Sequence, residues 1–443
     1  METVSEPRRQ TYLDAEWVAP RLVKALIEQG CPGEVRALAE EGRWLYVHEW
    51  AKVLIGRGQQ AEALALLIPF TEDGRWGPIK VVSDLLESWG RADEAIALCQ
   101  PMVAAGDRTA IEHTARLLAR HGREAEAFDL LRPHCDDWFH AQALVDISAG
   151  LDCDEEVAGL LRPHAEQLQK PGMWSSNSWN AVMLLATVLE RQGHVDKAVM
   201  LLHTNVHEGT TNTNTIEHLA DMLARHGRYA ELTQLADGRG RQHAAVRLAL
   251  HRERCGDIDG AVEVLRLLPD AAGYSADAHV GPLLIRAGRV DEGLDVLRRA
   301  LPYGDDCTVQ WWCFLMEEHG RAEETFGAIE ELADPAGGMS WELFCRRVEM
   351  LAATGRIEQA IDELRARPEA ATWPALDMLA GLLADVGQLD DAIAVLEPIV
   401  REGHSVPDMA ILMIRRGQAQ EAIELLRRPL KPVSDPWTAT TTS

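Results

Sequence analysis

Trp89-Gly90-Arg91-Ala92-Asp93-Glu94-Ala95-Ile96-Ala97-Leu98 decides the fold. A glycine ends one apolar segment, a polar pair follows, and an acid and an alanine open the next. Variants recur around Gly30, Gly58, Gly90, Gly122, Gly150, Gly193, Gly227, Gly256, Gly288, Gly320, Gly355, Gly387 and Gly417. Eleven of the twelve gaps between these glycines are 28 to 35 residues long, and a fixed period of this size marks a repeat architecture.

The positions around each glycine repeat too. Five residues later stands alanine in eight units: Ala63, Ala95, Ala127, Ala198, Ala261, Ala360, Ala392 and Ala422. Nine residues later a large apolar residue recurs, as in Leu67, Leu131, Leu202, Leu297 and Leu396. Seven residues before the glycine a small residue is usual, for example Ala51, Ala115, Ala186, Ala220, Gly281 and Ala380. Apolar positions three and four apart on both sides of a glycine predict two amphipathic helices, here A and B, joined by a tight turn. Glycine adopts the left-handed backbone that closes helix A without a Cβ penalty. The small residues predict where the two helices approach most closely.

These residues resemble the tetratricopeptide family, and Gly355-Arg356-Ile357-Glu358-Gln359-Ala360-Ile361 carries the likeness as well as the opening stretch does. The resemblance covers roughly residues 16 to 428 and implies an all-α, right-handed α-solenoid of about thirteen helix-turn-helix repeats. Departures are visible. The period is nearer 32 than the family's 34, and the aromatic four before the glycine is Leu or Met (Leu54, Leu118, Leu223, Met316, Met413). Pro69, Pro101, Pro133 and Pro398 fall in the B segments, where proline costs a helix interior about 3 kcal/mol; short or kinked B helices are predicted there. The unit at Gly150 is degenerate, with extra residues before its apolar face resumes. The insert Lys170-Pro171-Gly172-Met173-Trp174-Ser175-Ser176-Asn177-Ser178 follows it. The expected organisation is an N-terminal tail (1–12), the repeat array (13–428, with a bend or seam at 150–180) and a C-terminal tail (429–443). Glu208 to Thr215 reads as a capping loop.

Net charge is −26, a field that repels phosphate backbones and anionic lipid; neither nucleic acid nor membrane is an expected partner. There is no apolar stretch after the N-terminal arginines to make a secretory signal, and the eight cysteines lack CxxC spacing. Several of them fall where the repeat wants a small apolar residue, so reduced, buried thiols and a cytoplasmic location are expected. No HExxH, GxSxG, P-loop or GxGxxG motif occurs, and no catalytic residue or cofactor is assigned. Glu62, Glu94, Glu126, Glu292, Asp391 and Glu421 occupy the first turn of helix B, where each carboxylate is favoured by about 0.3–1 kcal/mol at the positive helix end. His203 with His207, and His134-Cys135 with His140, lack the further ligands zinc requires; no metal site is assigned. Trp44, Trp76, Trp179, Trp341 and Trp373 stand fourteen residues before a glycine. They read either as rings sealing the junctions between repeats or as an aromatic rim beside a groove.

The sharpest series is arginine two residues before the glycine: Arg120, Arg191, Arg225, Arg254, Arg286 and Arg415. In a tetratricopeptide-like coil this position faces the concave surface. The same mapping adds Arg116, Glu112, Asn180, Asn214, Glu217 and Asp221. The candidate peptide-binding set is thus Arg116, Arg120, Asn180, Arg191, Asn214, Glu217, Asp221, Arg225, Arg254 and Arg286. Arginine offers a planar donor fork for carboxylate or phosphate, and asparagine can hold a peptide backbone. The same arginines would equally serve a helix C-terminus or pair with acids such as Glu190 and Glu253. The expected function is a non-catalytic scaffold for a protein or peptide partner. The alternative is a regulatory or sensor module that binds a peptide or small ligand and acts through a separate effector. Oligomeric state is left open.

Overall fold

The computed structural model describes residues 11–167, 176–208, 213–237, 241–267, 276–303, 306–333 and 338–429. Among these residues lie 26 α-helices and six short 3-10 turns, and an isolated bridge pairs Thr11 with Pro429. The protein is an all-α array of helix-turn-helix repeats, and each of the thirteen glycines falls in a turn between two helices.

The turn chemistry is that of the opening stretch. The helix Trp76–Ser88 ends at Gly90, whose φ is +75°. Gly90 N–H donates to the Glu87 carbonyl at 2.9 Å, and Arg91 N–H donates to the Leu86 carbonyl at 2.8 Å. Together these bonds satisfy the carbonyls that a helix end leaves open. Twelve of the thirteen glycines have positive φ. Gly150, in the unit expected to be degenerate, is the exception.

The small positions lie where the helices touch. All eight alanines five after a glycine are fully buried at 0% exposure. Ala51, Ala115, Ala186, Ala220, Ala249 and Ala410, seven before a glycine, are at most 1% exposed. One hairpin, Ala276–Arg286 with Val290–Ala300, has glycine at both places. A Cβ on Gly281 would lie 2.3 Å from Leu297 Cγ, and one on Gly293 would lie 2.7 Å from the Gly281 carbonyl oxygen. Here the helices meet more closely than an alanine pair permits.

The prolines act in two ways. Before Pro69 and Pro133 the helices stop after eight residues, at Gln60–Leu67 and Glu124–Leu131, and pass into 3-10 turns. Pro101 and Pro398 instead lie inside the 13-residue Ala92–Ala104 and 14-residue Leu389–Glu402 helices, so the expectation of shortening does not hold there. Of the insert expected between 170 and 178, residues 170–175 lie outside the described residues, while its last three open the helix Ser176–Arg191. Of the expected capping loop, 209–212 lie outside them, while helices run to Glu208 and resume at Thr213. The expected tails fall mostly outside them as well, although Tyr12 is buried.

The chain divides into two compact units. One is continuous, Gly74–Met316; the other joins Met1–Asp73 to Glu317–Ser443. Within the discontinuous unit the first helix, Val18–Glu28, packs on the A helix of the last hairpin, Val406–Arg415. No helix among the described residues is long and apolar enough to cross a membrane.

Candidate functional site

All ten candidate residues belong to the continuous unit, Gly74–Met316. The arginines two before a glycine reach back to the preceding helix A. Arg120 donates both forks to Glu87 at 2.8 Å. Arg225 does the same to Glu190 at 3.0 and 2.7 Å, and Arg286 to Glu253 at 2.9 and 2.8 Å. Each acceptor stands three residues before its own glycine. In these three repeats one turn position therefore grips the neighbouring position of the repeat before it. Bidentate, charge-assisted pairs of this kind are geometrically specific.

Histidines join two of the pairs. His121 Nε2 lies 3.0 Å from Glu87, and His226 Nε2 lies 2.8 Å from Glu190. The Arg120 hydrogen bonds hold the Glu87 carboxyl below its usual range. Partial burial opposes ionisation of Glu190, but the hydrogen bonds from Arg225 and His226 outweigh it and the net shift is also downward.

The other candidates fill the gaps between these pairs. Arg116 bonds Glu112 on its own helix and reaches Asp146 in the next repeat at 3.1 Å. Glu217 and Asp221 both face Arg247 of the following repeat, the latter at 3.5 Å, and His243 lies 3.4 Å from Glu217. Asn180 is half-buried and Asn214 exposed, both engaged by neighbours. The outcome is a row of charge pairs crossing successive repeats, not a convergent pocket. Arg247 was missed in the sequence because it stands nine residues before its glycine, outside the arginine register. Its opposite charge to Glu217 and Asp221, about one repeat away, was the available signal.

Arg191 differs from the rest. It donates to the Val145 carbonyl at 2.6 Å and the Ser148 hydroxyl at 3.0 Å, and it pairs with Asp154. Val145 and Ser148 belong to the last turn of Trp138–Ser148, the helix that ends at Gly150 without a left-handed glycine. A side chain from the next repeat thus satisfies a carbonyl near this irregular helix end. Arg254 differs in the opposite sense. It is exposed, and among the described residues its side chain meets only the Leu250 carbonyl, at 3.4 Å. Arg415, in the other unit, donates to the Ala384 carbonyl at 3.0 Å.

A second row runs along the turns. Arg123, Arg228 and Arg289 each pair with an acid three residues ahead and with Asp93, Asp196 or Asp259 of the preceding repeat. The first-turn acids of helix B therefore serve inter-repeat pairing as well as the helix end.

Aromatic rings mark the other end of helix A. Trp44, Trp76, Trp341 and Trp373 are each the first residue of their helix. Trp44 stacks on His48 and meets Phe70, Trp76 meets His113 edge-on at 5.3 Å, and Trp373 stacks on His404 at 5.4 Å. The Trp179 side chain lies outside the described residues. His113 Nε2 also lies 3.1 Å from the Ser83 hydroxyl, to which the Cys99 thiol donates at 3.5 Å, a small polar cluster between one hairpin and the helix A of the next. Burial lowers the His113 pKa and raises that of Cys99, which favours a neutral imidazole and an unreactive thiol. Of the eight cysteines Cys99, Cys313 and Cys345 are buried, while Cys255 and Cys307 are exposed. No disulfide joins them, and no group of three metal-ligating side chains occurs among the described residues.

The architecture and this charged row define a helical-hairpin repeat protein. No protein-family model matches the chain, and no curated protein matches it. Solved structures that align with it include the crystal structure of the APC/C hetero-tetramer Cut9–Hcn1. That match is 11% identical, covers 94% of this chain and 93% of the other, and has a TM-score of 0.25. A second is the Naa15/Naa10 complex bound to HypK-THB, 12% identical over 88% of this chain and 69% of the other, with a TM-score of 0.33. Superpositions this loose add nothing to what the helices themselves show.

Proposed function

We propose that the chain is a non-catalytic scaffold that holds a protein or peptide partner along the charged row of its A helices. The tetratricopeptide-like turn pattern supports this reading, as does a repeat architecture that offers a long surface with locally determined contacts. One observation carries it. Arg120, Arg225 and Arg286 are about half exposed and each fork is already held by a carboxylate, whereas Arg254, at the same register position, engages no carboxylate among the described residues. The row fixes the neighbouring guanidinium groups and leaves this fork for a partner's carboxylate.

The test is selection from a random peptide display library on the intact protein, repeated with Arg254→Ala. Acid-bearing peptides should be enriched, and the variant should lose about tenfold in affinity for them, the cost of one charge-assisted contact. Its circular dichroism should be unchanged. Enrichment of no acidic peptide, or equal binding by the variant, would defeat the proposal.

A further inference from the structure

The ends of the sequence meet inside the discontinuous unit. Beyond the packing of Val18–Glu28 on Val406–Arg415, Arg21 pairs with Asp408 and Arg427 with Glu41. The Tyr12 hydroxyl donates to the Gly403 carbonyl at 3.0 Å, and Thr11 forms a bridge with Pro429. These partners are separated by 386 to 391 residues for the side-chain bonds. In an open array the outer faces of the first and last hairpins would meet solvent or a capping element. Here each covers the other.

The seam uses the same kind of ion pair as an ordinary repeat junction. Its two ion pairs are between about a third and a half exposed, so water and salt screen them. Partial burial opposes ionisation of Glu41, but hydrogen bonds from Arg427 and Arg43 hold its carboxyl below the usual range. The chain enters the last hairpin through Ser405 at φ +48°, the one non-glycine residue in the left-handed region among the described residues. That backbone lies beside Gly403, whose carbonyl Tyr12 holds. Strain of this sort persists only while surrounding contacts enforce it.

We propose that the end-to-end seam is a reversible latch: the first and last hairpins separate, each remaining folded, while the continuous unit stays intact. Apolar packing sets the alignment, and the exposed charge pairs set how often the latch opens. Opening uncovers the outer faces of Val18–Glu28 and Val406–Arg415.

Hydrogen exchange read by mass spectrometry on the full chain tests this. Arg21→Asp sets an acid against Asp408 and should accelerate exchange in Val18–Glu28 and Val406–Arg415 by about tenfold through local opening. Ala92–Ala104 and Thr213–Arg225 should not change. Adding Asp408→Arg restores the pair with its charges exchanged and should restore protection. Raising salt on the unaltered protein should speed exchange in the same two helices. Unchanged exchange in Arg21→Asp, failure of the exchanged pair to rescue it, or loss of protection throughout the chain would overturn the latch.

Discussion

Two kinds of junction occur in this molecule, and they use the same parts. In the continuous unit, arginines join neighbouring repeats over about one repeat length, 33 residues for Arg120 with Glu87 and 37 for Arg191 with Asp154. In the discontinuous unit, Arg427 joins Glu41 across 386 residues. The chemistry is alike, but the chain entropy is not. Closure cost grows with the logarithm of loop length, so the distant contact starts at a disadvantage of roughly 2 kcal/mol. A local junction can form as soon as two hairpins exist, whereas the distant one waits for the whole chain. Equal side chains therefore need not make equally durable seams.

The largest test compares buried leucines. Leu26→Ala, in the first helix, should cost about 2–5 kcal/mol and be felt as lost exchange protection in Val406–Arg415, nearly the whole sequence away. Leu131→Ala should cost about the same, with its losses confined to neighbouring repeats of the continuous unit. If both effects stay local, the distant seam is not energetically linked and the contrast fails.

Overpacking comes next. Ala115→Leu or Ala220→Leu should destabilise the continuous unit by about 1–3 kcal/mol in chemical denaturation, because each alanine is fully buried where two helices touch. No measurable loss would refute the close-contact reading.

Arginine replacement separates the two sorts of pair within the charged row. Arg191→Ala strips a hydrogen bond from the Val145 carbonyl and a partner from Asp154, and should cost about 1–3 kcal/mol in thermal or denaturant unfolding. Arg120→Ala, half exposed, should cost no more than about 1 kcal/mol. Equal losses would show that the exposed and the helix-capping arginines are one class.

The smallest effect is with pH. Glu87 and Glu190 have lowered pKa values, so the stability they contribute is full above the ordinary carboxylate value of 4.5. It is lost as pH falls through their folded values. Denaturation of Arg120→Ala should be less sensitive to acid over that range than denaturation of the parent; equal sensitivity would remove the Arg120–Glu87 pair as a source.

Much of the architecture was legible in the sequence because the repeat writes it position by position. Ala95 and its seven counterparts are buried as their spacing requires, and Gly90 turns as its neighbours require. Even Gly150, flagged by irregular spacing, departs where expected. The charged row was legible only in part. Arg120 and Arg225 stood out, but their partners are set by how one repeat rotates on the next, which no local pattern encodes. Arg191 occupies the same register, yet the irregular helix beside it turns it toward a backbone carbonyl. The meeting of the chain ends left no trace in the pattern, since Val18–Glu28 and Val406–Arg415 carry the same apolar spacing as every other helix A.

The paired small residues have an evolutionary consequence. Ala51 faces the same hairpin contact as Ala63, and Ala115, Ala186, Ala249, Ala380 and Ala410 are similarly matched with Ala127, Ala198, Ala261, Ala392 and Ala422. Gly281 and Gly293 are a matched pair with no side chain at either place. A side chain added at Gly281 or Gly293 meets the other's backbone or Leu297 and Ile285, so these two sites are not free to drift separately. Suppressors of Gly293→Ala should arise at Ile285, whose side chain would lie 2.6 Å from the new methyl group, before they arise anywhere on the surface. Helix spacing in this chain is thus inherited two codons at a time.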